Sequence, residues 1–124
     1  MGIISRFPAG ATKPYIEEIY NSYGQLIDVK MYGHETIRDY AFYSCYDLAL
    51  TTLPSGITNI NNAAFYGCTS LASLTFEGTP ENIWERAFAE CNNLTTINVP
   101  WAEGAVANAP WGATNATINY GYTG

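Results

Sequence analysis

IRDYAFYSCYDLALTTLPSGITN, residues Ile37–Asn59, runs directly into INNAAFYGCTSLASLTFEGTPEN, Ile60–Asn82, and then into IWERAFAECNNLTTINVP, Ile83–Pro100. The three segments begin on isoleucines 23 residues apart. The same interval separates Ala41, Ala64 and Ala87; Phe42, Phe65 and Phe88; Cys45, Cys68 and Cys91; and Leu48, Leu71 and Leu94. A unit of this length cannot bury its apolar side alone, so the copies must stack and share one core. Stacking predicts columns: each repeated side chain sits over its counterpart in the next coil.

Within a copy the pattern divides. Ile37, Ala41, Phe42, Cys45 and Leu48 follow steps of four, one, three and three, the spacing of one helical face. The small alanines let neighbouring helices approach, and the phenylalanines form an aromatic spine. The second half fits an L-x-x-L-x-L frame: Leu48, Thr51, Leu53, then Leu71, Leu74, Phe76, then Leu94, Ile97, Val99. Apolar and polar residues alternate there, as in a half-buried strand. Leu26, Val29 and Met31 fit the same frame, so a degenerate leading copy supplies the first of about four parallel strands. Pro54, Gly56, Gly78, Pro80 and Pro100 mark the turns.

Outside the repeats, residues 1–14 have little periodicity and read as a flexible leader or connector. In YIEEIYNSYGQL, Tyr15, Ile16, Ile19, Tyr20 and Tyr23 fall at helical spacing, Pro14 suits a helix start and Gly24 a stop, which predicts a helix over 15–23. Residues 15–36 then form an N-terminal cap with the degenerate repeat, and 37–100 the three full repeats. An open stack needs a second cap over its last coil. Residues 101–124 supply it, with an edge strand at Ala116–Thr123, where Ile118, Tyr120 and Tyr122 alternate. Trp101 and Trp111 are expected to cover the end of the stack.

The chain has 124 residues, enough for one domain. Hydrophobic residues make up 48%, which excludes a disordered chain. Charged residues are only 13%, against about 25% in ordinary globular proteins, so Asn, Thr, Ser, Gly and Tyr must cover the surface. A net charge of −6 with five scattered basic residues argues against nucleic acid and anionic membranes. No stretch has the length of a membrane-spanning helix. The N-terminus lacks the apolar run of a signal peptide, as expected of a chain made in the cytosol or of a mature or excised piece of a larger one.

The pattern I-x-x-x-A-F-x-x-C-x-x-L, followed by the strand frame, resembles the BspA-like class of leucine-rich repeats. The likeness covers about half the chain, with Thr51 departing where a leucine is expected. The resemblance implies a short α/β repeat solenoid: a right-handed leucine-rich repeat stack with a parallel ladder of about four strands, an N-terminal helical cap and a C-terminal strand cap. It also implies a surface-displayed or secreted adhesion-type protein of bacterial type, contacting a host extracellular protein or a glycan. The tail APWGATNATINYGYTG is similar to the ends of leucine-rich repeat proteins of phage and prophage tail regions. That likeness implies, as an alternative, a structural or receptor-binding terminal domain of a virion tail, oligomeric only in such an assembly.

Catalytic chemistry has little to use. His34 is the single histidine, in a loop beside Gly33 and Glu35, so no Ser-His-Asp or Cys-His set can form without it. The three cysteines share one inward repeat position and read as buried free thiols. Glu77, Glu81, Glu85 and Glu90 read as a solvated face near a helix start. No calcium loop or phosphate-binding glycine motif is present, and no cofactor or metal is expected.

Recognition has more. Asp28, Lys30 and Tyr32, then Leu50 and Thr52, then Ser73, Thr75 and Glu77, then Thr96 and Asn98 are the strand residues expected to face away from the core. They form a polar stripe across four strands, preformed for binding. Tyr40, Tyr43, Tyr46 and Tyr66 form a second candidate on the outer side of the expected helices, because tyrosine gives amphipathic contact area at low entropic cost.

Overall fold

A computed structural model describes residues 4–6 and 14–124. Among them there are ten strands and no helix. Three strands form an antiparallel sheet at the N-terminal end: β1 (Ile4–Arg6), β2 (Tyr15–Tyr20) and β3 (Leu26–Tyr32), in the order β1-β2-β3. The rest is a β-solenoid of about four turns built on two parallel ladders. One holds β4 (Thr36–Ile37), β6 (Asn59–Ile60) and β8 (Asn82–Ile83). The other holds β5 (Thr52–Leu53), β7 (Ser73–Phe76), β9 (Thr96–Asn98) and β10 (Thr117–Asn119), ordered β10-β9-β7-β5. The registers Ile37↔Ile60↔Ile83 and Leu53↔Phe76 repeat the sequence interval.

The expected columns are present. Phe42 and Phe65 stack with ring centroids 5.2 Å apart, as do Phe65 and Phe88. Leu48, Leu71 and Leu94 are fully buried, as are Ile60, Leu74 and Ile97. Cys68 and Cys91 are buried free thiols, and Cys45 is half-buried at the first coil. The Cys68 Sγ donates to the Phe42 carbonyl at 3.0 Å and the Cys91 Sγ to the Phe65 carbonyl at 2.9 Å, so each thiol binds the preceding coil.

The segments expected as helices are successive tight turns. The N–H groups of Ala41, Tyr43 and Cys45 donate three residues back, to the carbonyls of Arg38, Tyr40 and Phe42. The intervening N–H groups of Tyr40, Phe42 and Ser44 donate to Asn62, Ala64 and Tyr66 of the next coil. Alternate donors thus leave the segment, which an α-helix forbids. Tyr40, Ser44 and Ala63 adopt positive φ near 55°, a conformation costing about 1–2 kcal/mol at each non-glycine residue. Burial of the phenylalanine column and the coil-to-coil hydrogen bonds offset that cost. Steps of three and four do not distinguish a helical face from turns of this kind, so the fold is an all-β solenoid and not α/β.

The N-terminal helix over 15–23 is likewise replaced, by β2 and the turn that follows it. YIEEIY does not alternate at period two, but four of its six residues are the strand-forming Tyr and Ile. The Asn21 Oδ1 accepts from the N–H groups of Tyr23 and Gln25, and Gly24, at φ 80°, closes a hairpin turn and not a helix. β3 therefore pairs antiparallel with β2, from Tyr15↔Tyr32 to Tyr20↔Leu26, and does not join the parallel ladder. Its inward residues still serve the stack: Val29 and Met31 are buried and Leu26 packs on the core. Within the expected flexible leader, Ile4–Arg6 pair with β2, while residues 1–3 and 7–13 lie outside the described residues.

At the other end, β10 pairs parallel with β9, so the ladder has four strands, the last being the expected edge strand and not the leading copy. Trp101 and Trp111 are buried and touch edge to face, 6.1 Å between centroids, and Trp101 meets Phe76 at 5.3 Å. The Trp111 Nε1–H donates to the Ala107 carbonyl at 2.8 Å. These indoles cover the end of the apolar column.

Candidate functional site

The outward side of the four-stranded ladder forms two polar columns: Thr52, Thr75, Asn98 and Asn119, and Ser73, Thr96 and Thr117. Thr117 and Asn119 belong to β10, which the sequence pattern marks as a strand without joining it to the stripe. The first column is bonded to itself. The Asn98 Nδ2 donates to the Thr75 Oγ1 at 3.1 Å, and the Asn119 Nδ2 to the Asn98 Oδ1 at 2.8 Å. Asn98 is 8% exposed, so its amide joins coils and is withdrawn from partners.

Leu50, expected on this face, is buried at 3%, while Thr51, expected inside, is exposed. β5 spans only two residues, so strand alternation begins at Thr52 and the preceding chain is free to rotate. Burying a leucine instead of a threonine decides the direction.

Asp28, Lys30 and Tyr32 lie on β3, in the other sheet. The Asp28 Oδ1 accepts from the Val29 N–H, and Tyr32 stacks on Tyr15 at 4.9 Å. The structure nevertheless brings part of this set beside the ladder: Lys30, Tyr32, Thr52, Pro54 and Glu77 line a cleft of about 230 Å³ where the hairpin meets the first coils. Ser73, Glu77 and Thr52 are exposed, and Thr96 is half-buried.

The tyrosines gather on the turn segments, not on helices. Tyr43 and Tyr66 stack at 5.0 Å with an interplanar angle of 7°, and Tyr40 meets Tyr43 edge to face at 5.7 Å. The Arg86 guanidinium lies 6.0 Å from the centre of the Tyr66 ring. Tyr40, Tyr43 and Tyr46 are 55%, 51% and 61% exposed. The inter-coil stack fixes Tyr43 and Tyr66, and Tyr40 flanks Tyr43; no ring contact joins Tyr46 to them among the described residues.

His34 is half-buried. Its Nε2 is buried without a hydrogen-bond partner among the described residues, and the side chain lines a cavity of about 280 Å³ with Glu18, Arg38, Met31 and Phe42. Burial holds the thiols protonated: it pushes Cys68 up to about 12 and Cys91 to about 11, and it raises Cys45 as well. Protonated thiols are poor nucleophiles. Among the described residues, no three His, Cys, Asp or Glu side chains converge as metal ligands, and no helix is long and apolar enough to cross a membrane.

The repeat geometry agrees with a comparison against known families. The family described as "BspA type Leucine rich repeat region (6 copies)" matches residues 27–106. The chain is a BspA-type leucine-rich repeat protein. No curated protein and no solved structure gives a significant match. The BspA-type match begins at Ile27 and so overlaps β3, which pairs antiparallel with β2. Leucine-rich repeat stacks of this kind are protein-interaction modules, typically binding scaffolds without catalysis.

Proposed function

We propose that this BspA-type repeat protein is an adhesion-type recognition module, displayed at the cell surface or secreted, which binds an extracellular host protein through the tyrosine face of its turn segments. The observation that carries the reading is the contact chain Tyr40–Tyr43–Tyr66 with Arg86 beside it, half-exposed yet fixed by coil-to-coil stacking. Tyrosine and arginine dominate the energetic centres of protein interfaces, and a pre-ordered surface loses little entropy on binding. The low charge density and net charge of −6 favour an uncharged or basic partner surface over an acidic one.

The sheet face is a second reading, favoured by the cleft that joins Lys30, Tyr32, Thr52 and Glu77. Solid-phase binding to purified extracellular matrix proteins separates the two. Tyr40→Ser with Tyr46→Ser is expected to abolish capture while leaving the melting temperature in place. Ser73→Arg is expected to leave capture intact. Capture lost with Ser73→Arg and retained by the tyrosine variant would transfer the site to the sheet face.

A further inference from the structure

The two parallel ladders end differently. β10 adds a fourth strand beside β9, whereas no described strand lies beyond β8. The carbonyl of Ile83 is met there by the side chain of Asn108, whose Nδ2 donates to it at 3.2 Å. The step between β8 and the C-terminal segment is a groove of about 530 Å³, lined by Asn59, Asn82, Ile83, Trp84, Glu85 and Asn108. None of these residues belongs to the tyrosine set or to the polar stripe of the sheet face.

Trp84 is 51% exposed, whereas Trp101 and Trp111 are buried. Its counterparts in the earlier coils are Arg38 and Asn61, so the repeat does not require an indole here. Around it each side-chain amide spends one of its two N–H donors within the chain. The Asn82 Nδ2 donates to the Asn59 Oδ1 at 3.2 Å, the Asn59 Nδ2 to the Thr58 Oγ1 at 3.1 Å, and the Asn108 Nδ2 to the Ile83 carbonyl. Left for an incoming ligand are the second N–H and the Oδ1 of Asn82 and of Asn108 and the exposed Glu85 carboxylate, beside one flat, largely apolar ring.

A ligand matching this groove has a weakly apolar ring face, several hydroxyl donors around its rim and no negative charge. An apolar ligand would desolvate the amide oxygens without pairing them. An anion would meet Glu85 and a chain of net charge −6. An extended peptide added to the edge would find only two strand residues in β8 and a carbonyl already capped by Asn108. We propose that this groove binds a neutral carbohydrate, with a pyranose ring stacked on the Trp84 indole and its hydroxyls donating to Asn82, Asn108 and Glu85.

The test titrates the full chain with maltohexaose, cellohexaose, xylohexaose, mannohexaose and chitin hexasaccharide at millimolar concentration, read by calorimetry and by acrylamide quenching of tryptophan fluorescence. Because the other two indoles are buried, quenching reports on Trp84. At least one sugar is expected to bind and to shield Trp84. Trp84→Ala is expected to weaken that binding roughly tenfold or more, the loss of one aromatic stacking contact with its flanking hydrogen bonds. Asn82→Ala should weaken it severalfold, with the melting temperature of both variants unchanged. No shielding by any of the five sugars, or equal binding by Trp84→Ala, would overturn the proposal.

Discussion

Truncating Phe65 to alanine removes the middle ring of the spine. The side chain is fully buried, with a phenylalanine stacked 5.2 Å away on each side. A Phe→Ala change in a packed core costs about 3–5 kcal/mol through lost transfer energy and the cavity left behind. Each stacked ring pair adds about 0.5–1.5 kcal/mol beyond its buried area. Losing two such pairs at a site held by coils on both sides places Phe65→Ala at the upper end, about 5 kcal/mol. Phe42→Ala should cost less, about 3 kcal/mol, because Phe42 is slightly exposed and stacks on one member of the column only. A domain of this size has a total stability of about 5–15 kcal/mol, so the Phe65 variant should be barely folded or melt some 15–25 °C lower. Urea unfolding followed by far-UV circular dichroism measures both variants against the parent. A loss below about 1 kcal/mol for Phe65→Ala, or equal losses at the two positions, would refute a stacked column whose strength depends on neighbours above and below.

Three further outcomes are expected. Gly78→Ala should destabilise by about 1–3 kcal/mol in the same assay, because a Cβ there would lie 2.6 Å from the Ser55 carbonyl oxygen and 2.7 Å from the Ser55 Cα, so the coils would have to separate. Thr75→Arg should cost about 1–3 kcal/mol by leaving the buried Asn98 amide short of an acceptor, whereas Ser73→Arg on the same face should stay within about 0.5 kcal/mol; equal effects would show that the Thr75–Asn98 bond contributes nothing. Cys68 and Cys91 should resist a thiol reagent at pH 8 until the chain is unfolded. Their folded values near 12 and 11 lie above the ordinary 9.0, so unfolding releases protons above about pH 9. Stability is complete below that pH and falls as pH rises toward the folded values; an unfolding midpoint that is flat from pH 8 to 11 in a wild-type to Cys→Ala comparison would contradict the assignment.

The repeat interval determined a great deal without coordinates. Five positions recurring every 23 residues require stacked coils, because no single copy can hide its Ile, Phe, Cys and Leu alone. The phenylalanine spine, the buried thiols, the turn positions and the tryptophan-covered end all follow from that. Tertiary structure decided the backbone between those positions. Steps of three and four suit a helix or a run of tight turns equally. The choice fell to turns because alternate N–H groups find acceptors in the next coil, a partner that one copy read alone does not reveal. The same holds at the edges of the pattern. YIEEIY fits a helical stripe by spacing and a strand by its Tyr and Ile content, and only its pairing with Leu26–Tyr32 selects the strand. Leu50 turned inward in place of Thr51 because the two-residue β5 leaves the preceding chain free to follow apolar burial. Trp84 was invisible as a site because it breaks the repeat. Its groove exists only where the C-terminal segment extends one ladder and stops short of the other.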